Sequence, residues 1–378
     1  MLLLGFFWTL KNIPLFRKET ENLTNNQNNL PLLSIIVPAC NEAENIETAI
    51  QSLIDQDYPN LEIIAINDRS TDETGNILER LAKNESRLQV LNVNDLPAGW
   101  LGKVNALNQG TKIAKGDWLL FTDADVHFNQ GLLKRAIYFV KKEKIDHLVL
   151  MPIVFSKKFW LDVCITTFGF LFIISTRAIL VNQKNSKTPI GIGAFNMVSK
   201  EIYNRTPGFE WLRLEPADDY GLGLMVNNAG GRSHFALAEH DLSVPWYGSV
   251  KEMFRGLEKN LFGSGAHYSL ARLVIMVPVF WSIAAAPGVA LVAGLLIPSW
   301  IMVTLAGIAI GVLIIISISS FKMKRSEALY LLLFPLGLIM ISFMFLWAGY
   351  RCLKNNGINW RGTHYTLKEL RAGQRVKF

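Results

Sequence analysis

From residue 33 to residue 122, short runs of branched aliphatic side chains alternate with helical patterns, which confines this stretch to a mainly parallel, doubly wound α/β sheet. Residues 33–38 (Leu-Ser-Ile-Ile-Val-Pro) read as a buried strand, after which Asn41-Glu42 opens a helical pattern through Ile46, Ala49, Ile50, Leu53 and Ile54. Turn residues 57–60 lead into a second strand at 61–66, then a helix at 74–81 with Ser70 or Thr71 as its N-cap. A third strand spans 88–93, a helix 103–112, and a fourth strand runs from Trp118 to Thr122, ending at Asp123. The crossovers between parallel strands are expected to be right-handed.

Two acidic motifs, Asn67-Asp68-Arg69-Ser70-Thr71-Asp72 and Asp123-Ala124-Asp125, directly follow strands of this pattern. Ligands of an open α/β sheet bind beyond the carboxyl ends of its strands, so both motifs should face one hollow. Two acidic clusters there repel unless a cation joins them. A divalent metal carrying a phosphorylated substrate is the economical choice, because hard oxygen ligands suit Mg²⁺ or Mn²⁺ and leave positions for phosphate oxygens. A third cluster, Glu215-Pro216-Ala217-Asp218-Asp219, precedes a helical pattern at 220–228. Adjacent carboxylates either raise the pKa of one member, which suits a base, or cap the helix. Asp72 is expected to be a helix cap, and Lys103, at an unfavourable helix start, invites a functional reason.

Half of the 378 residues are hydrophobic (50%), and the mean hydropathy of +0.24 places part of the chain in lipid. Segments 270–298, 299–320 and 328–350 are nearly uncharged and long enough to cross a bilayer, with a basic loop at 321–327. The net charge is +7, but Lys and Arg cluster beside hydrophobic segments, which points to anionic lipid headgroups and not to nucleic acid. Cys40, Cys164 and Cys352 form neither a disulfide framework nor a zinc pattern and fit a reducing cytoplasm. The organisation expected is an N-terminal membrane anchor or interfacial helix at 1–18, an Asn-rich linker at 19–31, a globular domain at 32–267, transmembrane helices at 268–350 and a basic cytoplasmic tail at 351–378.

Four ordered motifs, Val37-Pro38-Ala39-Cys40-Asn41-Glu42, Asn67 to Asp72, Gly102-Lys103-Val104-Asn105-Ala106-Leu107-Asn108-Gln109-Gly110 and Asp123-Ala124-Asp125, together resemble family-2 glycosyltransferases of the GT-A fold. The resemblance covers roughly residues 32–260, and the hydrophobic C-terminal segments look similar to those of hopanoid-associated and carotenoid lipid glycosyltransferases. It implies a nucleotide-sugar donor, a divalent cation and inversion at the anomeric carbon. By this likeness Pro38, Asn41, Glu42 and Asp68 face the donor, and Lys103 reaches a phosphate or a base carbonyl. Asp125 ligates the metal, while Asp123 meets the ribose or the metal's outer shell. Asp219 is the catalytic base beside Asp218, and Arg255 or Lys259 holds the leaving diphosphate; His240 is either a further metal ligand or a surface histidine.

Processive polysaccharide synthases of this family carry a Gln-x-x-Arg-Trp signature that this chain lacks after Trp246-Tyr247-Gly248, so a single sugar transfer is expected. The acceptor is a lipid hydroxyl on a polyisoprenoid, carotenoid, hopanoid or glycerolipid, and residues 159–180 form a helix on the membrane surface or in the acceptor cleft. A processive synthase and a non-catalytic nucleotide-sugar or lipid-binding scaffold are the alternatives. The catalytic domain is expected at the cytoplasmic face of a bacterial membrane. Three full spans would leave the basic tail on the opposite side, against the positive-inside rule. One apolar segment is therefore expected to be re-entrant or interfacial, with the tail cytoplasmic and its Trp360-Arg361-Gly362-Thr363-His364-Tyr365 stretch folding back beside the site or anchoring at the interface.

Overall fold

The computed structural model describes residues 13–20, 30–154, 156–319 and 330–377; residues 1–12, most of the linker and the basic loop 321–327 lie outside them. In chain order come α1 (Phe16–Thr20), β1 (Leu33–Ala39), α2 (Ile46–Ile54), β2 (Leu61–Asp68), α3 (Thr74–Asn84), β3 (Leu88–Val93), α4 (Gly102–Ile113) and β4 (Trp118–Phe121). Next are β5 (His127–Phe128), α5 (Leu132–Glu143), β6 (His147–Pro152), α6 (Phe159–Ser175), β7 (Asn196–Ser199), α7 (Lys200–Tyr203), α8 (Asp218–Asn228), β8 (Ser233–Ala238) and β9 (Leu242–Ser243). The C-terminal part holds α9 (Val250–Ser264), α10 (Leu270–Leu296), α11 (Trp300–Ser319), α12 (Phe334–Lys354), β10 (Gly357–Trp360), β11 (Thr363–Thr366) and α13 (Leu367–Gly373).

Seven strands form one sheet in the order β3-β2-β1-β4-β7-β6-β8. All neighbours pair in parallel except β7, which runs antiparallel to both β4 and β6. The register Leu33↔Leu61 through Ala39↔Asn67 brings the carboxyl ends of β1 and β2 level. Because β7 is reversed, its amino end at Asn196 lies beside Phe121, the last residue of β4. Loops after β1, β2 and β4 and the loop before β7 therefore converge at one edge.

Alternate residues of β1 enter two cores. Leu33, Ile35 and Val37 pack with Ile46 and Ile50 of α2 and with Leu133 and Ile137 of α5. Ile36 packs with Val104 and Leu107 of α4 in a core that continues through Leu257 and Leu261 of α9 to Ile341, Met344 and Phe345 of α12. That continuity ties the apolar C-terminal helices to the sheet through buried side chains, at about 25 cal/mol per Å² of apolar surface removed from water.

Two helices, Leu270–Leu296 and Phe334–Lys354, are long and apolar enough to cross a membrane, and α11 is a third apolar helix. Helix α10 passes through Pro278 and Pro287 as one continuous element. Its apolar window is only 11% buried, against 50% for α12, which lies against the domain. Leu296, Trp300 and Ile301 at the α10–α11 turn are 77%, 85% and 74% exposed and form an unburied apolar surface. Helices α10 and α12 run antiparallel, with Trp281 Nε1 donating to Ser342 Oγ at 2.8 Å and the Phe280 and Phe345 rings 6.1 Å apart. Lys354 thus ends near the start of α10, and β10, β11 and α13 follow on the side of the sheet domain.

At the other terminus, Phe16, expected near the end of a membrane anchor, is fully buried, its ring 5.6 Å from that of Phe139. Leu15 forms an isolated bridge with Leu237 at the β8 edge. This part of the 1–18 segment adds to the sheet instead of facing lipid.

His147 opens β6 and is buried, and among the described residues its ring hydrogen-bonds only to neutral groups. Asn196 turns its amide nitrogen to the Asp219 carbonyl, so its Oδ1 accepts from His147 Nε2 at 2.6 Å, and the bare Nδ1 accepts from Ser233 Oγ at 3.0 Å. Burial drives the imidazole pKa down to about 4, with the Asn196 contact opposing it. The unfolded chain takes up this proton first, below about pH 6.5, so folding stability is lost as pH falls from there toward 4, by up to about 3 kcal/mol. Thermal unfolding of detergent-solubilised protein between pH 7 and pH 4.5 should therefore fall more steeply for wild type than for His147→Gln. Parallel slopes would refute this assignment.

Candidate functional site

The converging loops open onto a cavity of about 800 Å³ whose walls differ in character. Polar groups include Glu42, Asp68, Lys103, Asp123, Asp125, Asp218, Asp219 and Lys259, whereas Met151, Ile165, Phe168, Phe172, Ile173 and Leu331 supply apolar wall. Helix α6 provides much of the second set, which agrees with a helix in a cleft at 159–180.

Lys103 joins the Asp123 loop to the Asp218-Asp219 cluster. Standing in the first turn of α4, it reaches Asp123 Oδ1 at 2.8 Å and Asp218 Oδ2 at 3.4 Å. Burial alone would lower its pKa, but Asp123, Asp218 and Asp219 together raise it above the ordinary lysine value. Asp123 responds in the opposite sense: burial opposes ionisation, yet the Lys103 contact holds its carboxyl below the usual range. Asp125 has no ion pair among the described residues, and burial, Asp123 and Glu42 push it up to about 6.

Asp218 and Asp219 are the first two residues of α8, where carboxylates complement the helix dipole. The N-cap is Ala217, so neither acid is the cap itself. Asp219 Oδ2 accepts the N–H of Gly193 at 2.9 Å and Oδ1 that of Tyr220 at 2.7 Å. Both acids are raised, first by burial; Asp219 and Asp123 push Asp218 up further, while Lys103 opposes the rise in both.

The segment 191–193, which sequence reasoning did not single out, explains this geometry. Gly193 donates to Asp219, its carbonyl accepts from Asp123 N at 3.0 Å, and a Cβ there would strike the Asp123 carboxylate. The only signal was two glycines spaced for close approach, Gly191 and Gly193.

The first loops are cross-linked. Asn41, at φ 56°, presents Oδ1 to Thr71 N at 2.8 Å, and its own N–H meets Ser70 Oγ at 3.1 Å. Ser70 and Thr71 therefore do not cap α3, whose N-cap is Glu73; they are committed to Asn41. Asp72 does act at that helix start, accepting from Thr74 N at 3.0 Å and from Ala43 N at 3.1 Å. Asp68, 3% exposed, takes a two-point contact from Arg69 at 2.8 and 3.0 Å.

Pro38, Asn41, Glu42, Asp68, Lys103, Asp123, Asp125, Asp218, Asp219 and Lys259 are thus brought to one place, all but Asn41 lining the cavity itself. Arg255 and His240 are not. Arg255, one turn before Lys259 on α9, is exposed and does not line the cavity, and the His240 side chain is 51% exposed, 3.8 Å from Glu239. Arg361, from the turn between β10 and β11, lines the cavity instead and binds Glu42 and the Cys40 carbonyl. Lys259 lies 4.4 Å from the Trp360 ring centroid; burial and the nearby Lys103 and Arg361 charges lower its pKa to about 8.

Lys103→Met removes the shared cation from Asp218, whose side chain is 5% exposed, and from Asp123, which is 41% exposed and screened. The expected loss is about 2 kcal/mol at pH 7.5, read as a lower unfolding temperature. It should shrink at pH 5, where the uncompensated carboxyls take up protons; a pH-independent difference would contradict the bridge.

Residues 34–206 match the family model described as Glycosyl transferase family 2. A beta-monoglucosyldiacylglycerol synthase of Nostoc sp. (strain PCC 7120) is 33% identical over 138 residues, 35% of this chain and 29% of that protein. The 4,4'-diaponeurosporenoate glycosyltransferase of Staphylococcus aureus is 29% identical over 197 residues, 50% of each chain. The chain spans about a third to a half of the length of these curated relatives. The solved mannosyltransferase PcManGT from Pyrobaculum calidifontis, in complex with GDP-Man and Mn²⁺, shares the fold at a TM-score of 0.50 and 16% identity, over 91% of this chain and 94% of that one. The sheet order, the acidic strand-end loops and the family match agree: residues 34–206 of this chain match a glycosyl transferase family 2 domain, and the fold is GT-A-like.

Proposed function

We propose that the protein is a membrane-bound, metal-dependent inverting glycosyltransferase that moves one sugar from a nucleotide donor to a hydroxyl of a membrane lipid. The observation that carries this reading is one cavity of about 800 Å³ that joins carboxylates and cations to an apolar wall built partly by α6 and Leu331. Pro38, Asn41, Glu42 and Asp68 receive the nucleoside, and Lys259 faces the leaving diphosphate. The acceptor chain lies along α6. Names of relatives that act on diacylglycerol and diaponeurosporenoate support a lipid acceptor.

Asp125 and Asp123 fit a divalent cation, because Mg²⁺ and Mn²⁺ commonly take one or two carboxylates and complete their shell with phosphate oxygens. Among the described residues no group of three or more His, Cys, Asp or Glu is placed to hold a metal ion, so the protein's own contribution would be these one or two carboxylates. Bound there, the ion supplies charge neutralisation for the departing diphosphate. His240 has no part in it.

Asp219 is the base. Asp218 is turned to Lys103, whereas Asp219 has backbone N–H groups only and keeps lone pairs for an acceptor hydroxyl. Burial raises its pKa, which favours proton uptake as the hydroxyl attacks the anomeric carbon. The two long apolar helices and the exposed α10–α11 surface support a membrane location, with the catalytic domain and the tail both at the cytoplasmic face of a bacterial membrane.

Incubation of the membrane-embedded protein with labelled nucleotide sugars, followed by mass spectrometry of extracted lipids, should yield a lipid bearing one added sugar. Asp219→Asn should lower transfer by about 10² to 10⁴ while donor binding persists. Unchanged transfer in that variant would remove Asp219 from its role, and ladders of added sugars would replace single transfer with polymerisation. Asp125→Ala should abolish the Mn²⁺-dependent part of the heat of donor binding; heat that survives intact would argue against the metal site.

A further inference from the structure

We infer that the C-terminal hairpin Gly357–Thr366 completes the donor site, with Arg361 at its turn and Lys259 over Trp360 forming the anion pocket for the donor's diphosphate. The inference rests on the donor-site reading above and names the element that closes it.

The hairpin is docked at three points on the donor loops. Arg361 binds Glu42 and the Cys40 carbonyl after β1, Thr363 Oγ1 accepts from Arg69 Nη1 at 3.1 Å after β2, and the Tyr365 hydroxyl accepts from Gly102 N at 3.3 Å before α4. Cys40, Glu42, Asp68 and Lys103, at or next to these docking points, line the cavity. The hairpin therefore follows the apolar helices in sequence, yet its contacts belong to the nucleotide end.

Charge distribution says what such an element holds. Lys103, Lys259 and Arg361 all line the cavity, and Lys103 and Arg361 both raise the cost of charging Lys259. Lys103 is neutralised by Asp123 and Asp218, and Arg361 leans on Glu42. Lys259 has no hydrogen bond to an acceptor among the described residues; it lies over the Trp360 ring, 4.4 Å from the centroid, with Asp123 and Asp218 favouring its charge. A largely buried ammonium beside two further cations is a place for an anion, and a diphosphate is the anion that a sugar nucleotide brings.

The turn itself carries the same message. Arg361 and Gly362 form a two-residue loop with φ of 49° and 78°, between Trp360 and Thr363, which pair across the strands. Asn and Gly favour the first position of such a turn and arginine does not, so the backbone there is held against local preference. A side chain with work in the cavity accounts for that choice.

Arg361→Asn separates the two roles, because asparagine suits the turn but cannot reach a phosphate. Binding of UDP, UMP, GDP and GMP to the full chain in detergent should be measured by calorimetry. The variant should lose about 10-fold in affinity for the diphosphate of the preferred base, the monophosphate changing by less than about 2-fold. Lys259→Met should act in the same direction, and Arg361→Lys should recover part of the loss. Equal weakening of diphosphate and monophosphate, or no weakening, would overturn the hairpin's role. A wild-type chain that binds none of the four nucleotides would overturn the donor-site reading, and the hairpin's role with it.

Discussion

The ion pairs of Lys103 with Asp123 and Asp218 are the interaction on which the site depends. Four carboxylates, Asp123, Asp125, Asp218 and Asp219, share a crevice walled partly by apolar side chains, and their mutual repulsion in such surroundings would drive protonation or outward movement. One ammonium at the start of α4 reaches both the β4 loop and the first turn of α8, so elements about a hundred residues apart in the chain are locked at a common point. A lysine at a helix start is unfavourable in isolation, and two carboxylates reverse that balance.

The rest of the site follows from which strand ends meet. Parallel strands deliver the loops after β1, β2 and β4 to one edge, and the reversal of β7 adds the segment carrying Gly193. Behind that edge a buried polar chain runs from Ser233 through His147 and Asn196 to the Asp219 carbonyl. Each member is satisfied by its neighbour, so Asp219 is positioned by the sheet as well as by its own helix.

The apolar helices are not an appended anchor alone. Helix α12 contributes Ile341, Met344 and Phe345 to the same core as Val104 and Leu107 of α4, whose first turn carries Lys103. The exposed α10–α12 surface is therefore joined by continuous buried packing to the sheet edge where the charged groups meet.

Much of this was legible in the residue pattern. Branched aliphatic runs and helical periods located β1 to β4 and α2 to α4, because buried parallel strands and amphipathic helices leave period-specific signatures. Asp68, Asp123, Asp125, Asp218 and Asp219 stood out because carboxylates at strand ends and helix starts have few structural reasons to cluster. What tertiary structure alone decided was pairing across distance. It made Lys103 the bridge, committed Ser70 and Thr71 to Asn41 instead of α3, moved His240 and Arg255 outside the site, and brought in Gly193 and Arg361. Sequence periodicity reports which face of an element is buried, but not which charges from remote elements arrive within hydrogen-bond reach; that depends on strand order, and above all on the reversed β7 and on the return of the chain after α12.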